Sequence, residues 1–443
     1  MLGVADLGNR TEERSIELFR RAQEVFPAGV SRVTVMRTPC PIYAEHGQGA
    51  WLIDVDGNRM LDLNANFTTL IHGHAFPPVT SAVAKQLERG TCFANPTEYE
   101  ITLAELLCGR IPAVEAIRFV NTGTEAVMFA LKAARAYTGR SCIAKLEGTY
   151  HGSYDWAEVS EHPDPFASGD GLPSGVGNYR GAPESLGKDT IILALNDIER
   201  TSASLKKTEG KLAAILIDVM PSRCGLIPLE PEYIQFLVEY CRRSDTLLVC
   251  DEVLNLRQGY EGASARFGLE PDLIAMGKII GGGLPIGAIG GRREVMSIFS
   301  GSPPYETALS QGGTFSANPI SMVAGIAAMQ SLDRAEFEKL EEMGQEVRSA
   351  LQGVVEKRHL DMSVYGRASI FRIQPAKNRP RTYREAYCAE MSGSPMPRLC
   401  EALLARGVNL PKHGTGVLST PMTGAEVDHL VDAFARSLVD IGL

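Results

Sequence analysis

From Thr11 to Phe26 the apolar residues Ile16, Phe19, Ala22, Val25 and Phe26 recur at three- and four-residue steps. That spacing predicts a helix, stopped by Pro27-Ala28-Gly29. The rhythm then shortens. Ile42 to Ala44, Trp51 to Asp54 and Met60 to Asp62 are strand-like, with the turn Asp56-Gly57-Asn58 between the last two, so a small antiparallel meander is expected. From about residue 78 the helical stretches Val79 to Arg89, Thr97 to Gly109 and Thr124 to Thr138 alternate with short apolar runs. Those runs are Ala116 to Val120, Ser141 to Lys145, Ala213 to Ile217, Leu247 to Cys250 and Leu273 to Met276. Such alternation predicts an α/β fold: a mostly parallel sheet between helices. Residues 160–190 are rich in Pro, Gly and Ser and lack periodicity, which predicts a long loop. Helices are expected over Ile320 to Leu332 and Ala335 to Leu351, and short strands and helices come after them. Three segments result: 1–77 and 331–443 as the two parts of a smaller domain, and 78–330 as the large domain.

Composition narrows the function. The 443 residues are 44% hydrophobic, enough for a large core and two lobes, and 22% charged, which argues against wholesale disorder. The formal net charge is −9 with no long basic run, so neither nucleic acid nor an anionic membrane is an expected partner. No apolar run reaches the ~18 residues of a membrane span. Arg10, Glu12, Glu13 and Arg14 interrupt the start of the chain, so no secretory signal is expected there. The nine cysteines are an odd number without a C-x-x-C pair, and reduced thiols in a cytoplasmic protein are expected.

The candidate chemistry sits at the ends of the apolar runs. Lys278 comes after Leu273 to Met276 and precedes Gly281, Gly282 and Gly283, which would let backbone pass close to a flat ring. Asp251 closes the run Leu247 to Cys250. An amine and a carboxylate so placed suit pyridoxal phosphate: the amine forms an imine, and the carboxylate keeps the pyridine nitrogen positive. Asn121 to Ala126, with Gly123 and Thr124, lies between a strand and a helix, where free N–H groups cradle phosphate. Tyr150, beside His151, can stack on a ring face. Gln311 to Asn318 offers a second glycine and hydroxyl cluster. No Walker-type loop and no G-x-S-x-G elbow occurs, and His72-Gly73-His74 reads as a turn rather than a metal site.

These motifs, in this order, resemble the fold-type I, class III aminotransferases, and among them the glutamate-1-semialdehyde aminomutase-like branch. The matching pieces run from Pro27 to Pro421 and include Trp51 to Asn58, Phe119 to Ala126, Arg135 to Arg140, Glu147 to Gly152, Asp251 to Val253, Pro271 to Gly291 and Gly313 to Pro319. The resemblance implies a seven-stranded, mostly parallel sheet in the large domain and an α+β small domain drawn from both chain ends. It implies that Lys278 holds the cofactor and moves the substrate proton, that Asp251 pairs with the ring nitrogen, and that Val253 and Tyr150 flank the ring. Gly123 and Thr124 would hold the phosphate with the partner subunit's Thr314, in a homodimer with shared active sites. His151 and Asp218 belong to the same cofactor set. Arg32 matches the place of a carboxylate-binding arginine in β-amino-acid transaminases; Arg223 and His413 are further substrate candidates.

Three departures stand out. Asp218-Val219 replaces a usual Glu-Pro pair, Leu254 to Arg257 replaces Gly-Phe-Arg, and Thr420 to Thr423 stands where the aminomutase has an acidic gate. The expected activity is amino transfer between an amino acid or amine, β-amino acids among them, and a keto acid. An intramolecular aminomutase or racemase on the same cofactor is the alternative, and a non-catalytic relative the second.

Overall fold

Apolar runs six residues long or shorter are too short for buried helices, and here they pair edge to edge. The computed structural model describes residues 10–167, 171–208, 210–300, 308–390 and 393–443. Its strands are β1 Ala44–Gln48, β2 Trp51–Asp54, β3 Arg59–Asp62, β4 Ala116–Val120, β5 Cys142–Leu146, β6 Thr190–Leu193 and β7 Leu212–Ile217. Then come β8 Leu247–Asp251, β9 Leu273–Gly277, β10 Gly287–Gly291, β11 Ser363–Arg367, β12 Ile370–Gln374, β13 Val408–Asn409 and β14 Thr415–Val417. Seven of them form the central sheet, in the order β4-β10-β9-β8-β7-β5-β6. Neighbours are parallel except at β10, which runs antiparallel to both β4 and β9.

The sheet is buried on both faces. Ala214, Leu216, Val249, Ala275 and Ile289 meet the helix Gly123–Thr138, whose inner side is small: Ala126, Ala130, Ala133 and Ala134. Ile215, Ile217, Leu248, Cys250, Ile274 and Met276 point into the other core layer. Two strands escape the hydrophobic pattern. β10 reads as a loop because Gly287 and Gly291 carry no side chain; a methyl there would strike the backbone oxygens of Thr122 and Asp272. β6 hides at the end of the Pro/Gly-rich stretch, behind the short helix Glu184–Asp189, so that stretch is not all loop.

The chain ends meet in a four-stranded sheet, β1-β2-β3-β13, where Val408 pairs with Leu61 in parallel register. The expected meander exists, but its first strand starts at Ala44 rather than Ile42. The first helix ends at Gln23, which leaves Val25 and Phe26 exposed instead of on its apolar stripe. The helix Arg334–Lys357 runs six residues past Leu351, because Val355 continues the stripe of Phe337, Leu340, Val347 and Leu351. It packs on β11 of the three-stranded sheet β11-β12-β14. All nine cysteines are free thiols. Among the described residues no helix is long and apolar enough to cross a membrane.

Arg257, in the turn after β8, joins these parts. It is fully buried, and its guanidinium donates to Thr68 O at 2.9 Å, to Ser369 Oγ at 3.0 Å and to Leu418 O. Burial lowers its basicity to about 9. One cation thus satisfies acceptors from the N-terminal and C-terminal segments at once. Arg257→Ala should cost roughly 3 kcal/mol or more, since it strands buried carbonyls and opens a cavity. Chemical denaturation checks this; a loss below about 1 kcal/mol would contradict the role.

Candidate active site

Parallel strands deliver their last residues to one edge, and ligands of open α/β sheets bind there. Asp218 comes directly after β7, Asp251 ends β8 and Lys278 comes directly after β9, and these three strands are neighbours. The turn after β4 leads into Gly123 and Thr124, the first residues of the helix Gly123–Thr138; the turn after β5 carries Tyr150 and His151.

Lys278 adopts a left-handed backbone (φ +50°), a conformation that costs a non-glycine residue about 1 kcal/mol. Packing of the next two residues holds it there. Ile279 and Ile280 are buried, and Gly325 of the helix Pro319–Gln330 lets the Ile280 carbonyl lie directly on the helix. Burial pushes the Lys278 amine down to about 8, against the opposing pull of Asp251 and Asp218. Burial, with Asp251 beside it, pushes the Asp218 carboxyl up to about 8.

Asp251 is clamped from two sides. Its Oδ2 accepts from His151 Nδ1 at 2.8 Å, and its Oδ1 accepts from the Val253 N–H at 2.9 Å. Burial lowers the basicity of His151, and its hydrogen bond to Asp251 opposes that. A neutral imidazole that donates through Nδ1 leaves Nε2 a bare acceptor, and this buried atom has no partner among the described residues. The loop that bears Tyr150 and His151 is held from beneath by Lys145. That fully buried amine donates to the carbonyls of Thr149, Ala157 and Val159 at 2.9, 2.8 and 2.8 Å.

The end expected to take the phosphate is a helix N-terminus. Thr122 Oγ1 takes the Glu125 N–H at 3.1 Å and the Thr122 carbonyl takes the Ala126 N–H, so Gly123 and Thr124 present N–H groups outside the helical ladder. Side chains would close this space: a methyl on Gly123 would lie 2.7 Å from Val253 Cγ1, and one on Gly152 2.5 Å from Thr124 Oγ1. The residues therefore fit pyridoxal phosphate, with an amine of lowered basicity, a fixed carboxylate, an open helix end and an orphaned imidazole nitrogen in one place.

The other expected residues are placed unevenly. Arg223 joins the group: its guanidinium carbon lies 4.5 Å from the Tyr150 ring centroid, and Nη1 donates to Glu161 at 2.7 Å. Thr314 is exposed in a turn, and its neighbour Gly313 lies close to Asn121. The described contacts of Arg32 are with Asn66 Oδ1 at 3.1 Å and the Phe67 ring. His413 Nδ1 accepts from the Thr415 N–H at 3.4 Å, and burial with the charges of Arg372 and Arg223 pushes its basicity down to about 3, so it lies within electrostatic reach of Arg223. Two residues outside the expected set also bear on the site. Asn255 donates to Asp218, and Arg372, fully buried on β12, reaches the Ser222 carbonyl at 3.3 Å and Glu390. Arg372 had a signal, a cation inside the apolar run Ile370 to Ile373; Asn255 had none beyond its place in an unusual turn.

The lowered basicity has a measurable sign. Only the neutral amine is nucleophilic, so labelling of Lys278 by an amine-selective reagent should rise through about pH 8. Exposed lysines should rise near 10.4. Peptide mass analysis across pH checks this in cofactor-free protein; a Lys278 midpoint at or above that of exposed lysines would contradict the burial.

A family model described as aminotransferase class-III matches residues 33–441. An omega-transaminase structure from Sphaerobacter thermophilus is 45% identical, covers 96% of this chain and 97% of its own, and superposes with a TM-score of 0.92. A transaminase structure with PLP bound is 38% identical, with coverage of 98% and 99% and a TM-score of 0.89. A glutamate-1-semialdehyde 2,1-aminomutase from Methanopyrus kandleri (strain AV19) is 34% identical over 96% of this chain and 97% of that protein. The sheet, the edge cluster and this match over nearly the whole length lead to one conclusion: the chain belongs to the class-III aminotransferases, fold-type I enzymes that use pyridoxal phosphate.

Proposed function

We propose that this protein is an aminotransferase that moves an amino group from an amino acid or amine, β-amino acids among them, to a keto acid in two alternating half-reactions. The observation that carries the reading is the meeting of Lys278, Asp251 and Asp218 at three adjacent strand ends, with the amine brought down to about 8. The cofactor, when bound, supplies an electron sink for charge that develops at the substrate carbon. Lys278 would hold it and, once displaced by the incoming amine, would take and return the substrate proton; a base titrating near working pH suits that task. Asp251 would keep the ring nitrogen positive, held in one orientation by His151 and Val253.

Gly123 and Thr124 would hold the phosphate, completed in a cytoplasmic homodimer by the partner subunit's Thr314. Tyr150 and Val253 would flank the ring, and Asp218 would face its 3′-oxygen. For a substrate carboxylate, Arg223 is the better-placed cation, since its charge already acts on Lys278. Arg32 and His413 would line the approach from the N-terminal turn and the smaller lobe. A second reading, an intramolecular aminomutase, draws on the 34% identity to enzymes of that name. The absence of an acid in Thr420 to Thr423 speaks for transfer; Thr420 instead hydrogen-bonds His72, and Thr423 caps the last helix.

A panel of amine donors with pyruvate or 2-oxoglutarate separates the two. Transfer consumes one keto acid per carbonyl product; a mutase or racemase turns over without any. Lys278→Ala should lower turnover by at least about a hundredfold, the lower range for loss of a general base. Turnover retained in that variant would refute the assignment.

A further inference from the structure

The ion pair of Arg223 with Glu161 has a support that neither residue supplies. The C-terminal segment sends the helix Tyr383–Glu390 to the sheet edge that bears the site. There it meets the turns after three parallel strands. Tyr383 lies against Gly148 after β5, the Asn196 amide donates to the Arg381 carbonyl at 2.9 Å after β6, and Ala386 lies against Gly225 after β7.

Tyr383 is buried, and its two ends touch different loops. A methyl on Gly148, two residues before Tyr150, would strike its ring. Its hydroxyl donates to Pro163 O at 2.9 Å, and Glu161 and His162 come just before that proline. Those are the side chains that meet Arg223 Nη1: Glu161 Oε1 at 2.7 Å and His162 Nε2 at 3.0 Å. Four residues on, and so on the same helix face, Tyr387 meets Phe166 edge to face with ring centroids 6.3 Å apart. The Arg223 guanidinium therefore sits between the Tyr150 ring and the Glu161 carboxylate, and one tyrosine spaces the loops that carry them.

We infer that Tyr383 is a positioning residue: wedged between the Gly148 and Pro163 loops, it sets Tyr150 and Glu161 so that they hold the Arg223 guanidinium in place for a substrate carboxylate. This deepens the reading of Arg223 under Proposed function and rests on it. The backbone of Arg223 is pinned from the same C-terminal segment. Arg372 donates to Ser222 O at 3.3 Å and Tyr365 to Gly225 O at 2.6 Å, one on each side of the cation. The side chain is what is left to fix, and a long arginine stem loses rotamer entropy when it is held. Glu161 is buried, so its pull on Arg223 is screened less than that of a surface pair. A two-pronged grip on a carboxylate gains from a guanidinium oriented before the ligand arrives. Tyr383 gives that orientation through a neutral hydrogen bond to a loop carbonyl, so it acts by position and not by charge.

Tyr383→Phe tests this, because phenylalanine keeps the ring on Gly148 and removes only the hydroxyl. In the intact chain, free of substrate, labelling of Arg223 by the arginine-selective reagent phenylglyoxal should rise at least about threefold, the lower end for one lost hydrogen bond. Arg436, exposed on the last helix, is the reference and should not change. Glu161→Gln should raise the labelling as well. In that background Tyr383→Phe should add less than about twofold, since both substitutions act on one contact. With pyridoxal phosphate, 3-aminobutanoate and pyruvate, Tyr383→Phe should raise KM about threefold and leave kcat within about twofold, the mark of lost substrate binding. A general loosening of the fold would instead lower kcat and the thermal midpoint together. Unchanged labelling of Arg223 overturns the proposal, as does an effect of Tyr383→Phe that is equal with and without Glu161. If the labelling behaves as stated but Arg223→Gln leaves KM unchanged, the carboxylate reading of Arg223 falls and the substrate role of Tyr383 with it, while the brace itself stands.

Discussion

The arrangement depends on one electrostatic constraint: a half-buried amine and two buried carboxyl groups must share one sheet edge. Desolvation penalises every charged form there, and the groups answer to one another. Lys278 is pulled down and Asp218 pushed up until both titrate near 8. Asp251 is the member given the most support, with the His151 imidazole on one oxygen and the Val253 N–H on the other. Such a site holds an amine and two carboxyl groups within the span of three neighbouring strands.

The scaffold repeats one device to hold that edge in place. Lys145, Arg257 and Arg372 are all buried nitrogen donors, and each is satisfied largely by neutral oxygens rather than by a full set of carboxylates. Lys145 gathers the loop that bears His151. Arg257 ties the turn after Asp251 to both chain ends. Arg372 links β12 to the carbonyl of Ser222, next to Arg223. Buried donors of this kind are directional, so they specify where loops run in a way that apolar packing cannot.

Much of this was legible in the chain. Runs such as Leu247 to Cys250 and Leu273 to Met276 place strands by hydrophobicity alone, and Asp251 and Lys278, just beyond them, fall at the sheet edge by topology. β10 was not legible because its glycines are chosen for the lack of a side chain, and periodicity needs side chains to read. β6 was masked by the Pro/Gly-rich residues before it. At the site, the places of Asp251 and Lys278 follow from their strands, whereas the link from Asn255 to Asp218 joins residues 37 apart and has no local signature. Arg32 shows the converse. Its local sequence suits a carboxylate grip, but its described contacts are with the 65–68 turn.

If the side chains at positions 278 and 251 grip opposite ends of one cofactor ring, a crystal structure of the protein grown with pyridoxal phosphate will display it. Density should then run unbroken from Lys278 Nζ into the ring, with the ring nitrogen about 2.7–3.2 Å from a carboxylate oxygen of Asp251. A ring bound elsewhere, or one whose nitrogen faces a residue other than Asp251, would contradict that arrangement.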